Sequence, residues 1–372
     1  SIYHPPTHGK GCSRMKWLNW LLGLSSPQKL SNDIGVDLGT ANTLICTSTQ
    51  GVVLREPSVV AVDYSLTPPQ VIEVGMAARD MMGRTPANIK ALRPLRDGVI
   101  ADVEWAEVML KEFIQKVVGS PKLFSAQLGR VLISVPTGVT DVERRAVGDA
   151  AYNAGARVVN LIEEPMAAAI GANMPVEKPF GSMIVDIGGG TTEIAVLSLN
   201  GIVVSQTVRL AGDKLNENVQ AHLKTAHALH IGEPTAEMIK LRLGSAYDTG
   251  NDDQIDVRGV HVISGLPDTV TITSAEIRAC MGDTLAKLVQ GVKDTLEITP
   301  PELASDIVDR GIVLAGGGAL LAGLDVLIEK QVGVPVFVAP DPLSAVVLGC
   351  EKILTDPRFS KILEYTEYDN RY

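Results

Sequence analysis

Two acidic, glycine-bearing turns stand far apart in this chain and share one plan. The first is Asp37-Leu38-Gly39-Thr40, and the second is Asp186-Ile187-Gly188-Gly189-Gly190-Thr191-Thr192-Glu193. Each follows a β-branched apolar run ending in Asp, and each leads into another apolar run, Leu44-Ile45-Cys46 or Ile194-Ala195-Val196-Leu197. That is the pattern of a hairpin whose turn is bare enough for backbone N–H groups to meet an anion. A carboxylate beside such a turn repels phosphate unless a cation lies between them. Two facing copies therefore predict a Mg²⁺-nucleotide held in a cleft between two related halves. One turn alone reads as a tight hairpin and nothing more. Two copies, with a third glycine turn at Gly316-Gly317-Gly318, argue for a site.

The 372 residues exceed one ordinary core and suit two domains, each able to bury its own. A hydrophobic content of 45% with 20% charged residues is that of a soluble globular protein. The formal net charge of −10 leaves no basic surplus to displace counterions, which argues against nucleic acid as a partner. Aromatic residues make up only 4% of the chain, too few for base-stacking platforms. Cys12, Cys46, Cys280 and Cys350 are scattered without a Cys-x-x-Cys pair and read as free thiols in a reducing compartment.

Periodicity predicts strands near 33–38, 43–48, 52–55 and 58–63, then helices at 75–82 and 102–118. A buried parallel strand at 131–136, a helix at 141–154 capped by Thr140 or Asp141, a strand at 157–162 and a small-residue helix at 165–172 follow. The segment 174–179, with Pro175 and Pro179, reads as a hinge. Beyond it the pattern repeats: the Asp186 hairpin, helices at 212–230 and 234–244, and a strand-rich stretch at 254–273. Helices at 274–296 and 301–308, a strand into the Gly316 turn and a helix at 319–332 complete it. This repetition implies duplication, with a mixed sheet and flanking helices in each half.

Residues 1–14 lack periodicity and read as disordered, with Met15 a candidate original start. In the following run, Trp17, Trp20, Leu21 and Leu24 share one helical face, which Leu18 widens. The run is too short to span a bilayer. A helix packed on the body is one reading. The two Trp beside Lys16 favour the other, an interfacial membrane helix. Leu123-Phe124, in a polar loop, is either a second membrane contact or a Phe tucked into the core.

No Gly-x-x-x-x-Gly-Lys-Ser/Thr occurs, so the chain is not a P-loop NTPase, and an Asp before each turn does not match the dinucleotide fingerprint. Asp37-Leu38-Gly39-Thr40, Asp186 to Thr191 and Gly316 to Gly318 resemble the two phosphate loops and the adenosine loop of the actin/Hsp70/sugar-kinase superfamily. Within it, Asp37 to Thr43, Arg93-Pro94-Leu95-Arg96-Asp97-Gly98 through Asp102, Glu164-Pro165-Met166-Ala167-Ala168-Ala169-Ile170-Gly171 and Pro300 to Ile307 resemble the bacterial actins of the MreB type. The resemblance runs from about Asn32 into the 350s.

The resemblance implies an actin-like ATPase fold of class α/β, with two duplicated domains around a nucleotide cleft. It implies a division into an extension (1–31), a first domain (32–173, with an insert at about 57–97) and a second (174–349, insert about 207–310). Residues 350–372 would return to the first domain. It also implies a slow ATPase that polymerises with itself on the inner face of the cytoplasmic membrane. There it would work with membrane-bound cell-elongation proteins to organise cell-wall synthesis.

Carried over, Asp37 and Asp186 would hold Mg²⁺ through its waters. Thr40, Ala41 and Asn42 would cradle ATP phosphates from one side, and Gly188, Gly189, Gly190 and Thr191 from the other. Glu164, rather than its neighbour Glu163, would orient the attacking water with help from Thr191. Glu143 reads as a surface or salt-bridging residue. Glu237 and Lys240, one turn apart, read from spacing as an ion pair or as residues facing adenosine, and the resemblance favours the second. Gly316, Gly317, Gly318 and Ala319 would let backbone pass close to base and ribose. Asn42 stands where actin-like loops place a cation, so hydrolysis should be slow unless another Lys replaces it.

Two rivals share this fold class. A chaperone of the Hsp70 kind would need a substrate domain after the nucleotide domain. A small-molecule kinase should offer a catalytic Asp and sugar-binding polar groups, where this chain has Glu164 followed by Met166-Ala167-Ala168-Ala169.

Overall fold

Five strands align with Ile34–Leu38 to form one mixed sheet, in the order Glu367–Tyr368, Val158–Glu163, Arg130–Val135, Ile34–Leu38, Asn42–Thr47, Gly51–Pro57. The computed structural model describes residues 33–118, 128–248, 250 and 253–368. A second mixed sheet runs Gly201–Val208, Thr192–Ser198, Ser182–Ile187, Ile312–Ala315, Val336–Val338. The two have the same plan. Ile34–Leu38 pairs antiparallel with its hairpin partner and parallel with Arg130–Val135, just as Ser182–Ile187 pairs with Thr192–Ser198 and with Ile312–Ala315. Asp37 and Asp186 therefore occupy matching places near the ends of the central strands, Asp37 beside Ser134 and Asp186 beside Ala315.

Each sheet buries an outer face under amphipathic helices. On the first, Val103–Val118 turns Trp105, Met109, Leu110, Phe113 and Ile114 inward, the spacing of a core-facing helix. Each such side chain contributes roughly 1.5–3 kcal/mol through burial. Asp141–Asn153 lies beside it, opened by a capping box in which Thr140 Oγ1 accepts from the Glu143 N–H and the Glu143 carboxylate accepts from the Thr140 N–H. Glu143 is thus a capping residue and not a salt-bridging one. The second sheet is covered by Gly212–Ala226 and Ser274–Glu297, with Glu233–Leu243 packed beside them.

Between the sheets, Glu164–Gly171 and Ala345–Thr355 cross at backbone contact. A Cβ on Gly171 would lie 1.8 Å from the Ala345 carbonyl oxygen, and one on Gly349 would lie 1.8 Å from that of Ala167. The run Ala167-Ala168-Ala169 is what allows this approach, and all three are fully buried in a core shared by both sheets. Lys352 caps the crossing, donating to the carbonyls of Ile170 at 3.0 Å and Gly171 at 2.9 Å. The Ala345 helix also packs on Ile34–Leu38.

Two helix boundaries and the insert differ from expectation. The helix expected to run to 230 ends at Ala226, because Ala228 takes φ 49° and Leu229–His230 pairs as a short strand. The helix expected from 319 begins at Leu324, after a 3₁₀ turn at Gly317–Leu320 and a left-handed Gly323. A small sheet of Gln70–Val74, Val60–Asp63 and Ile89–Leu92 fills the insert, where only part was expected. Trp17, Leu18, Trp20, Leu21, Leu24, Leu123 and Phe124 lie outside the described residues. No helix among the described residues is long and apolar enough to cross a membrane.

Candidate functional site

The two acidic turns meet. A Cβ on Gly189 would stand 2.6 Å from the Ala41 Cβ, and one on Gly190 would stand 3.0 Å from the Thr40 Cγ2. The turn Asp97-Gly98 wedges beside them: the Gly98 N–H donates to Thr40 Oγ1 at 3.3 Å, and Gly98 takes φ 74° with its Hα facing Thr191. A side chain at Gly98 would strike the Thr191 Cγ2 at 2.5 Å, which explains glycine there.

Behind the turns opens a cavity of about 590 Å³, the size of a cofactor pocket. Asp37, Thr40, Ala41, Asn42, Glu164, Asp186, Gly188, Gly189, Gly190 and Thr191 line it, as do Glu237, Lys240, Gly316, Gly317 and Gly318. Ala319 does not: it is buried in the second core, while Leu320 and Leu321 face the space. Glu164, the first residue of its helix, lines the cavity, and Glu163 does not. Gly316, at φ 77°, passes so near Asp186 that a Cβ would lie 2.5 Å from its Oδ1.

The electrostatics are one-sided. Burial pushes Asp37 up to about 7, against the pull of a hydrogen bond from Ser134 Oγ at 3.3 Å. Burial, then the charges of Asp37 and Glu193, push Asp186 up to about 8. Burial, then Asp37, Asp186 and Glu193, hold Glu164 well above the usual carboxylate range. Carboxylates crowded out of water with one another's charge for company fit a hard divalent cation, which takes oxygen ligands and water.

Glu193 does not line the cavity, but its charge acts on Asp186 and Glu164, and motif reading gave it no role. It is directly opposite Asp186 in the hairpin, so both side chains share one face, and burial raises its pKa as well. Its Oε2 accepts from Thr207 Oγ1 at 2.8 Å. The signal was available in a lone acid heading an otherwise apolar run, Ile194-Ala195-Val196-Leu197.

Glu237 and Lys240 do not pair with each other. Glu237 meets Arg79 Nη2 at 2.5 Å, and Lys240 Nζ donates to the Gly212 carbonyl at 2.9 Å. Gly212 is itself tied to the second turn through its N–H to the Gly188 carbonyl. Lys240 therefore brings an ammonium to the flank of that turn. Burial holds its pKa below the ordinary lysine value, partly offset by Glu237 and Asp213.

Two hairpin sheets of one plan, crossing helices between them and an acidic glycine-lined cleft define an actin-like protein. A family model described as MreB/Mbl protein matches residues 31–361, and the chain belongs to that family. The cell shape-determining protein MreB of Escherichia coli K12 is 52% identical over 326 residues, covering 87% of this chain and 93% of that protein. The cell shape-determining protein Mbl of Bacillus subtilis is 48% identical, covering 86% and 94%. Among solved structures, MreB5 of Spiroplasma citri bound to ADP superposes with a TM-score of 0.83 at 37% identity, covering 89% of this chain and 98% of that one. A MamK double helical filament shares the fold, with a TM-score of 0.72 at 21% identity.

Proposed function

We propose that this chain is a bacterial actin that binds and slowly hydrolyses ATP and polymerises into filaments on the inner face of the cytoplasmic membrane. There it organises cell-wall synthesis with membrane-bound elongation proteins. One observation carries the reading: both acidic turns and Glu164 line a single cavity, at the point where the two sheets meet. The relatives named as cell shape-determining, and MreB5 with ADP and with AMPPNP, support it.

In this site Asp37 and Asp186 would hold Mg²⁺ through its waters. Bound there, the ion would supply the positive charge that crowded carboxylates and phosphates both need. The backbone N–H groups of Thr40, Ala41 and Asn42 would meet phosphates from one side and those of Gly188 to Thr191 from the other. Gly316, Gly317 and Gly318 would pass along the adenosine, with Glu237 and Lys240 opposite. Glu164, at the N-terminus of its helix, would accept a hydrogen bond from the attacking water and fix its line of approach, with Thr191 beside it. Phosphoryl transfer asks for such positioning more than for a strong base. The Trp17–Leu24 face would supply the membrane contact.

Sedimentation tests the assembly. Purified protein with ATP and Mg²⁺ should pellet as polymer, and co-pellet with liposomes unless residues 1–24 are removed. Monomers alone at tens of micromolar overturn the filament reading.

A further inference from the structure

Away from the cleft, at the other end of the Gly212–Ala226 helix, His222, His227 and Glu276 converge. His222 lies near the end of that helix, and His227 is its C-cap, just before the chain turns at Ala228. Glu276 sits in the first turn of Ser274–Glu297, where its N–H bonds Thr273 Oγ1 at 3.3 Å. The His222 Nε2 is 2.6 Å from Glu276 Oε1, and the His227 Nε2 meets the same oxygen. The three donor atoms all lie within 4.8 Å of one another. The imidazole planes stand at 76°, with centroids 6.0 Å apart, so the rings approach one point from two directions.

We propose that His222, His227 and Glu276 form a transition-metal site, best suited to Zn²⁺, that clips the Gly212 helix to the Ser274 helix. Two imidazoles and a carboxylate are a common zinc donor set, with a water completing the tetrahedron. Bonds of about 2.0–2.2 Å to each donor set the donors roughly 3.3 Å apart, inside the spread already present.

The backbones are held ready for it. Asn218, one turn before His222, donates across the same helix pair to the Cys280 carbonyl at 3.2 Å and to Thr284 Oγ1 at 2.7 Å. The helix so clipped carries the second glycine turn at its opposite end, where the Asp213 N–H bonds the Gly189 carbonyl at 2.8 Å. A metal here would fix the outer end of the element that supports the nucleotide cleft.

The test titrates Zn²⁺ into the chelator-stripped full chain against a chromophoric chelator, with Mg²⁺ and ADP in excess to occupy the cleft. The segment before Asp33 also holds His4, His8 and Cys12, so the comparison is with variants that leave those donors in place. His222→Ala and His227→Ala should each lose one bound equivalent or weaken it by at least about tenfold, and Zn²⁺ should raise the Tm of the parent alone. His227→Gln keeps a hydrogen-bonding group toward Glu276 without an imidazole. It should melt near the parent in metal-free buffer, yet lose the zinc equivalent. Equal stoichiometry and affinity in parent and variants, or no zinc bound by the parent at micromolar concentration, overturns the site.

Discussion

Arg93 Nη1 meets Asp213 Oδ2 at 2.9 Å, joining the insert of the first half to the start of the helix that supports the second glycine turn. The other guanidinium nitrogen meets Glu233 at 2.7 Å, and Arg79 makes a parallel link to Glu237. Burial lowers the Arg93 pKa, but Asp213 and Glu233 outweigh it and hold it above its ordinary value. These pairs span the cleft at the edge of the cavity, which Asp213 and Glu237 help to line, as a latch would.

Arg93→Ala should therefore speed nucleotide release several-fold while leaving the rest of the fold in place. A double-mutant cycle with Asp213→Ala should give a coupling of about 0.5–3 kcal/mol. Stopped-flow release of a fluorescent nucleotide is the readout, and an unchanged off-rate removes the latch.

Glu164→Ala should bind nucleotide with little change and release phosphate about a hundredfold more slowly. Equilibrium binding and a coupled phosphate assay separate the two quantities. Turnover equal to the parent would take the water-orienting role away from Glu164.

Gly98→Ala should cost about 1–3 kcal/mol from its left-handed backbone and displace Thr191 besides. Gly83→Ala is the matched control, since Gly83 takes φ 71° with nothing within 4 Å of the added methyl. Urea unfolding should show both variants destabilised, with only Gly98→Ala losing ATPase activity as well. Equal activity in the two would mean that the contact with Thr191 does not matter.

Cys46 and Cys350 flank Gly35, and the Cys46 thiol donates to the Val347 carbonyl at 3.3 Å. Burial pushes Cys46 up to about 12 and Cys350 well above the ordinary thiol range. A raised thiol constant leaves the unreactive protonated form in place through neutral and mildly alkaline pH. Native protein alkylated at pH 8 should yield both cysteines unmodified by peptide mapping, and denatured protein should yield both labelled. Rapid labelling of either in the native state would place it in a looser environment.

The acidic turns were legible because their chemistry is local: an apolar strand, an Asp and bare glycines in sequence. Thr140 as a helix cap was legible for the same reason. What escaped was fixed by partners distant in sequence. Nothing near Glu237 announces Arg79, and nothing near Lys240 announces the Gly212 carbonyl, so their spacing suggested a pair that the fold does not make. Ala319 looked like part of a glycine turn, but the 3₁₀ geometry after Gly316 rotates it inward. The Ala345 helix, apolar on nearly every side, lacks the periodicity that marks a surface helix, because both of its flanks are covered.

The crossing at Gly171 and Gly349 has a mechanical meaning. Although Glu164–Gly171 follows a strand of the first sheet, it also packs on the central hairpin of the second, and Ala345–Thr355 packs on the first. With peptide against peptide, neither helix has slack to slide along the other; turning about the contact is the freedom that remains. Glu164 and Val346, at the near ends of these helices, line the cavity, so its floor lies beside the axle. A small change in what fills the cleft would then be read at the rim as a larger swing of the outer arms, with displacement growing with distance from the crossing.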